Sequence, residues 1–208
     1  MMRSEIHPAF ADWSGLPSSI VSDCLGRFNA MSSSIRALTP VGVVGPAHTL
    51  RSVVGDNRSV HLELTSVAPG SVLVIDAGGY ADRAIWGGVL TIAARKQGIL
   101  GVVIDGAVRD IDELTELEFP VFARGTSPAG PHKAGGGASA VPISCGNVPV
   151  SQGDLVIGDR DGVVVVPSAL IDETLVLARA RLELERQWIE RINSGIPSAV
   201  VLGIDTAQ

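Results

Sequence analysis

An α/β fold with a parallel βαβ unit, a β-rich C-terminal part and one long helix is what this sequence predicts. Three observations carry that reading. Short aliphatic runs alternate with longer amphipathic ones, divided by 24 glycines and 12 prolines. Residues 71–105 spell strand, glycine-rich turn, helix and strand in order. Residues 141–166 then hold short aliphatic runs at hairpin spacing, followed by a long stretch of helical periodicity. With 208 residues, 46% of them apolar and 18% charged, the chain has the length and composition of one globular domain over 1–208. A chain of this size buries roughly 70% of its unfolded surface.

Taken in order, Pro17 to Phe28 sets Ile20, Val21, Cys24, Leu25 and Phe28 on one helical stripe, with Pro17 near the start, where a helix tolerates it. Val41 to Val44 reads as a strand, and Asn57 to Val67 as a helix that Pro69-Gly70 ends. In the βαβ stretch, Val72 to Ile75 is the first strand and Ala77-Gly78-Gly79 the turn. Ile85 to Gln97 is the helix, stopped by Gly98, and Leu100 to Ile104 is the second strand. A right-handed crossover makes the two strands parallel, so both carboxyl ends open on one sheet edge, where open α/β sheets bind ligands. Asp110 to Leu117 reads as a short helix, Pro120 to Ala123 as a strand, and Gly125 to Ala140 as a loop.

Val141 to Ile143, Val148 to Val150, Asp154 to Ile157 and Gly162 to Val166 are strands joined by Gly-Asn, Gly-Asp and Asp-Gly turns. The long helix runs from Ser168 to Asn193, leaving 194–208 as a tail. Ile171, Leu175, Ala178, Leu182, Ile189 and Ile192 form one stripe on it, and Leu177, Leu184 and Trp188 a second. Two stripes suit either one contact with the domain and another with a second subunit, or one broad buried face.

Composition removes several partners. The net charge is −6, and the 14 arginines and two lysines are scattered rather than gathered into the basic face that nucleic acid requires. The aliphatic runs fall far short of the ~20 residues that span a bilayer. Residues 1–8 contain no apolar core of signal-peptide length, so a cytoplasmic setting without membrane contact is expected. Cys24 and Cys145 make neither a disulfide framework nor a Cys-x-x-Cys pair and read as small buried residues. No dinucleotide loop, P-loop or Gly-x-Ser-x-Gly is present. Imine chemistry has only Lys96 and Lys133 to draw on, and Lys96 sits near a helix C-terminus, where a solvated cation is favoured.

What remains is Asp105 to Glu113, which begins where the second βαβ strand ends and runs into a helix. Arg109 offers a planar fork for a carboxylate, and Asp110 a hard oxygen for a divalent cation. Glu113, three residues on, shares the helical face of Asp110. Upstream, Gly87-Gly88 can let a ligand approach the amides of Val89 and Leu90 at a helix start. A purely structural reading also holds: acidic residues suit the first turn of a helix, Arg109 can pair with Asp105, and the glycines can serve close packing.

Gly88, twenty residues, Arg109-Asp110, two residues and Glu113 together resemble the Gly-x20-Arg-Asp-x2-Glu/Asp motif of the RraA-like family. That family includes the 4-hydroxy-4-methyl-2-oxoglutarate / 4-carboxy-4-hydroxy-2-oxoadipate aldolases. The resemblance extends over Ser22 to Gly26, Val44 to Ala47, Gly55 to Asn57, Gly101 to Asp110, Phe119 to Gly125, and Gly153-Asp154 through Val163. It implies a metal-dependent class II pyruvate aldolase on a layered α/β/β-type sandwich, assembling as homotrimers or homohexamers with sites between subunits.

By the same resemblance, Arg109 is the catalytic residue that holds the pyruvyl carboxylate or enolate. Asp110 ligates Mg²⁺ or Mn²⁺, and Gly88 with the amides of Val89 and Leu90 binds the keto-acid substrate. In the best-characterised branch an aspartate stands where this chain has Gly88, and Glu113 is the expected substitute as second metal residue. The family also draws an acidic residue from a neighbouring subunit's C-terminal region, for which Glu183, Glu185 and Glu190 are the candidates. The implied reaction is retro-aldol cleavage of a 4-hydroxy-2-oxo acid, with oxaloacetate decarboxylation as a side activity through the same enolate. No histidine lies near the motif in sequence, so a water near the metal is the expected proton carrier, and His132 is expected on a surface loop. Ribonuclease E regulators of the family act by protein contact and lack the aspartate after the arginine, which makes a protein-binding regulator the alternative. A methyltransferase reading is opposed by the missing cofactor loop.

Overall fold

The computed structural model describes residues 3–204. In chain order it comprises β1 (Arg3–Ile6), α1 (Ser18–Cys24), β2 (Arg36–Ala37), β3 (Val41–Ser52), α2 (Arg58–Glu63) and β4 (Val72–Asp76). There follow β5 (Ala84–Trp86), α3 (Gly88–Gln97), β6 (Gly101–Val108), α4 (Ile111–Glu116), β7 (Val121–Thr126) and β8 (Gly137–Ser139). The last part holds β9 (Ile143–Cys145), β10 (Val148–Val150), β11 (Leu155–Gly158), β12 (Val163–Val166), α5 (Ile171–Asn193) and α6 (Ser198–Val201).

The main sheet runs β12-β11-β3-β4-β6-β7-β2. β3 belongs to both halves of it. Its first residues pair with β1 and β11, and from Ala47 onward it pairs with β4, with β8 on its far end. Pro46 falls at the changeover, a place where a residue without an N–H is tolerated. β3, β4, β6 and β7 are parallel, as the crossover argument predicts.

Side-chain parity then builds the layers. Leu73 and Ile75 of β4, Val102 and Ile104 of β6, and Val121 and Ala123 of β7 face Val60 of α2, Leu64 just after it, Leu90 and Ala94 of α3, and Leu114 of α4. Their alternates Val72, Val74, Val103 and Phe122 pack against Val156, Val163, Val165 and the β9–β10 hairpin. Leu155, Ile157, Val164 and Val166 point the other way, onto α1 and the start of α5. Strands buried on both faces read as unbroken Val/Ile/Leu runs rather than alternating ones, which is why Val163 to Val166 is all valine. The predicted sandwich is present, and α1 and α5 cover its outer β layer.

Several expected boundaries move for identifiable reasons. The first helix stops at Cys24 because Gly26 and Arg27 take left-handed backbone, with φ 68° and 70°, and Phe28 is 87% exposed rather than on the buried stripe. β3 runs eight residues past Val44, to Ser52. The helix expected over Asn57 to Val67 is confined to α2. Ile85 and Trp86 belong to β5, paired with β6, so α3 begins only at Gly88. The expected 125–140 loop contains the end of β7 and all of β8, and the next strand lies two residues later, at Ile143–Cys145.

Ser168–Leu170 forms a separate 3-10 turn before α5, and the tail contains α6, with 205–208 outside the described residues. On α5 the first stripe packs inward only as far as Ala178, with Ile171 and Leu175 half-buried; Leu182, Ile189 and Ile192 of that stripe, and Leu177 and Leu184 of the second, are exposed. The broad buried face is therefore absent. Cys145 is fully buried and Cys24 half-buried. No helix among the described residues is long and apolar enough to cross a membrane.

Candidate active site

The carboxyl edge of the parallel strands carries the cleft. β6 delivers Arg109 and Asp110 there, because the Arg109 N–H donates to the Trp86 carbonyl at 3.0 Å and so pins the end of β6 beside β5. Trp86 is itself locked: its indole Nε1 donates to Thr91 Oγ1 at 2.8 Å, and its ring stacks on Phe119. The wall that places Gly87 and α3 is accordingly rigid.

Asp110 precedes α4 with left-handed backbone, φ 62°, and makes no side-chain cap to its own helix. Its Oδ2 instead accepts the Gly88 N–H at 3.1 Å, across the cleft edge at the start of α3. Aspartate is among the few non-glycine types that enter left-handed backbone with little penalty. Arg109 Nε lies 3.5 Å from the same oxygen, while Oδ1 has no partner among the described residues. The pairing of Arg109 with Asp105 expected under the structural reading does not occur. Asp105 is buried and taken by Arg124 and by the Gly146 N–H.

The glycine pair is explained by space. A β-carbon at Gly87 would collide with Asp110 Oδ2, and one at Gly88 would collide with both carboxylate oxygens of Glu113. The Glu113 carboxylate thus occupies the volume that a side chain at position 88 would fill, and Gly88 lies between the two carboxylates. The amides of Val89 and Leu90 sit in the first turn of α3, where no preceding carbonyl is available to them. Gly87, Val89, Leu90, Arg109 and Asp110 all line one small, open cleft of about 130 Å³. Gly88 and Glu113 are not among the residues that line it.

Three further polar residues line the cleft and were not singled out as site residues from the sequence: Asn57, His61 and Lys133. Asn57 Nδ2 donates to the Ile85 carbonyl at 3.1 Å, and its Oδ1 faces Lys133 Nζ at 3.5 Å. Lys133 Nζ is 3.1 Å from His61 Nε2. Burial together with the neighbouring Lys133 charge pushes the His61 pKa below its usual value. An ammonium can only donate, so Nε2 accepts and the neutral ring carries its proton on Nδ1. The signal available was the spacing of Asn57 and His61, one helical turn apart in a segment already read as helix. Lys133 comes from a loop and had no such signal. Arg27, Arg51, Arg83 and Arg124 are instead engaged by Asp23, Asp76, the Gly130 carbonyl and Asp105.

For a metal, the donor set matters. No group of three or more His, Cys, Asp or Glu gathers among the described residues, so no closed four-ligand centre of the structural zinc type forms there. Two carboxylates beside an open cleft suit a hard cation that keeps several waters, as Mg²⁺ and Mn²⁺ do. Glu183, Glu185 and Glu190 are all engaged on α5, by Arg186, Arg181 and Arg186 respectively. Arg186 and Gln187 hold the Glu183 carboxyl down to about 2.

Fold and site together define an α/β sandwich with an open, arginine-bearing cleft at the carboxyl edge of its parallel strands. Residues 18–165 match the RraA-like family model, Aldolase/RraA, and the chain belongs to that family. A Halalkalibacterium halodurans protein named "Putative 4-hydroxy-4-methyl-2-oxoglutarate aldolase" is 42% identical over 167 residues, 80% of each chain. Among solved structures, an uncharacterized protein from Pseudomonas syringae pv. tomato superposes with TM-score 0.80 at 31% identity, covering 91% of this chain and 94% of that one. The RNA-processing inhibitor RraA from Thermus thermophilis gives TM-score 0.66 at 32% identity, covering 73% and 92%.

Proposed function

We propose that this protein is a divalent-metal-dependent lyase. It cleaves a 4-hydroxy-2-oxo dicarboxylic or tricarboxylic acid by retro-aldol reaction to pyruvate and a second keto acid, and it decarboxylates oxaloacetate as a side activity. The observation that carries this reading is the arrangement around Gly88: Asp110 on its amide, Glu113 in its side-chain volume, and Arg109 adjacent. The name borne by the Halalkalibacterium relative supports it.

Asp110 and Glu113 would hold Mg²⁺ or Mn²⁺, which when bound supplies Lewis-acid stabilisation of negative charge. The chain's own groups do the rest. The unpaired amides of Val89 and Leu90 receive the substrate carboxylate, as helix starts do for anions. Arg109 and Lys133 bring two positive charges to one cleft and so favour a dianionic substrate. As the 4-hydroxyl loses its proton and the C3–C4 bond breaks, the electron pair enters the pyruvate enolate, and the Arg109 guanidinium stabilises that developing charge. His61 Nε2 is turned to Lys133 Nζ, which leaves solvent to carry the proton to C3.

The site lies open at the surface, with Val89 73% exposed beside it and Ile92 and Leu62 exposed nearby. This apolar rim supports a homotrimer or homohexamer whose neighbouring subunits close the cleft.

Pyruvate release from oxaloacetate and from 4-hydroxy-4-methyl-2-oxoglutarate, with Mg²⁺ or Mn²⁺ and then with chelator, tests the proposal. Wild type produces metal-dependent pyruvate and Asp110→Asn does not. Release no faster than free metal alone excludes the lyase for these substrates. The likeness to the Thermus inhibitor supports the alternative, a protein-binding regulator of ribonuclease activity. On that reading Asp110→Asn leaves protein binding unchanged.

A further inference from the structure

Beneath α2 lies a polar network that takes no part in lining the cleft. His48, on β3, is buried, and its Nε2 lies 3.0 Å from Glu63 Oε1 and 3.1 Å from Ser139 Oγ. Ser139 Oγ also donates to Glu63 Oε1. On the other side of the ring, Gln152 Nε2 lies 3.3 Å from His48 Nδ1. The network fixes its own protonation. Gln152 Oε1 accepts the Thr49 N–H at 3.0 Å, so the Gln152 amide nitrogen must be the atom facing His48, and Nδ1 must accept. The proton of the neutral ring is then on Nε2, directed at Glu63.

Two short elements meet here. α2 spans only Arg58–Glu63, and it carries His61 and, at its N-cap, Asn57. Glu63, two residues after His61, leaves the helix in a different direction and reaches His48. β8 pairs with β3 through only three residues and continues the loop that carries Lys133. Backbone bonds tie the loop to the start of α2, with the Asn57 N–H on the His132 carbonyl at 3.0 Å and the His132 N–H on the Gly55 carbonyl at 2.9 Å; at the far end, where α2 meets β8, Glu63 and Ser139 are joined through side chains. Asp56 makes the matching tie at the other end, accepting the N–H groups of Arg58, Ala134 and Gly135 at 2.7–2.8 Å.

We propose that His48 is a positioning residue of the cleft: by holding Glu63 of α2 and Ser139 of β8 on one ring nitrogen, it sets where His61 meets Lys133. His48 is the buried centre of the network, with Glu63 and Ser139 half-buried around it; a satisfied set of polar bonds specifies geometry more sharply than apolar packing, and losing one member leaves the buried ring short of a partner. This inference uses the lyase reading only for its kinetic arm; the spectroscopic arm is independent of it.

The experiment compares Ser139→Ala, Ser139→Thr and Glu63→Gln with wild type. Histidine ring resonances are titrated by NMR, and His61 is assigned with His61→Gln. In wild type, His61 titrates below the usual histidine range; in Ser139→Ala and Glu63→Gln it moves back up as Lys133 drifts away, while Ser139→Thr, which keeps the hydroxyl, restores the wild-type curve. In parallel, the KM for oxaloacetate rises about three-fold or more in the two disrupting variants, with kcat within about two-fold of wild type. A folded Ser139→Ala or Glu63→Gln that lowers the melting temperature but leaves the His61 titration in place overturns the proposal and makes the network purely structural. Shifted His61 curves with no turnover even in wild type keep the positioning role and reject the lyase.

Discussion

The Gly88 amide donates to the Asp110 carboxylate across 3.1 Å, joining the start of one helix to the residue that precedes another. Asp110 forgoes the local cap it is placed to make. Its left-handed backbone turns the carboxylate out of α4 and onto α3, beside the Glu113 carboxylate that fills the space left by the missing Gly88 side chain.

Gly88→Ala tests that space. The added methyl meets the end of a flexible Glu113 side chain rather than backbone, so Glu113 moves and the fold stays. The variant keeps its circular dichroism spectrum and melting temperature, while Mn²⁺ affinity by titration calorimetry falls about ten-fold or more. Unchanged Mn²⁺ affinity would remove Glu113 from the metal site.

Asp110 separates backbone strain from chemistry. Asparagine tolerates left-handed backbone, whereas a residue without a short polar side chain pays roughly 1–2 kcal/mol there. Asp110→Asn therefore unfolds in urea near the wild-type midpoint, and Asp110→Ala at a lower one, while both lose metal-dependent pyruvate release. Retained turnover in Asp110→Asn would rule out a metal carboxylate at this position.

Asp56 makes acid stability legible. Burial alone would raise its pKa, but hydrogen bonds from Arg58, Gly135 and Ala134 outweigh it and hold the carboxyl below its usual range. A carboxyl depressed in the folded state stabilises the protein at pH above the unfolded value, about 3.9, and loses that contribution as pH falls through the folded value. The melting-temperature gap between wild type and Asp56→Asn is therefore full near pH 7 and narrows only below about pH 4. A gap constant from pH 7 to pH 2 would contradict the assignment.

Ile92 addresses assembly. It lies on the exposed face of α3, one turn from Val89, and a charge there opposes burial by a neighbouring subunit. Light scattering gives a trimer or hexamer for wild type and a smaller species for Ile92→Glu. Identical masses would place any interface elsewhere.

Much of this architecture could be read from residue order. The strands around the βαβ unit were legible because both faces are buried, which leaves unbroken aliphatic runs. That Arg109 and Asp110 reach the carboxyl edge of the sheet was legible, because they follow directly on a parallel strand. The length of β3 was not, since Gly45-Pro46 reads as a stop and only the arrival of two different partners explains its continuation. Nor was β5, whose three residues extend helical spacing backward from α3. Lys133 and the His48 network depend on contacts across tens of residues, and no local pattern encodes them.

The dual membership of β3 also imposes an order of events on a chain emerging from the ribosome. Strands β3, β4, β6 and β7 are complete once residue 126 has been made, and their helices can cover one face at once. The other face, with Val72, Val74, Val103 and Phe122, has to wait for Val156, Val163 and Val165. At about 5–20 residues per second, the nascent chain shows a bare aliphatic sheet for seconds. That interval, rather than the finished molecule, is where the inner aliphatic face of this sheet is most exposed to aggregation.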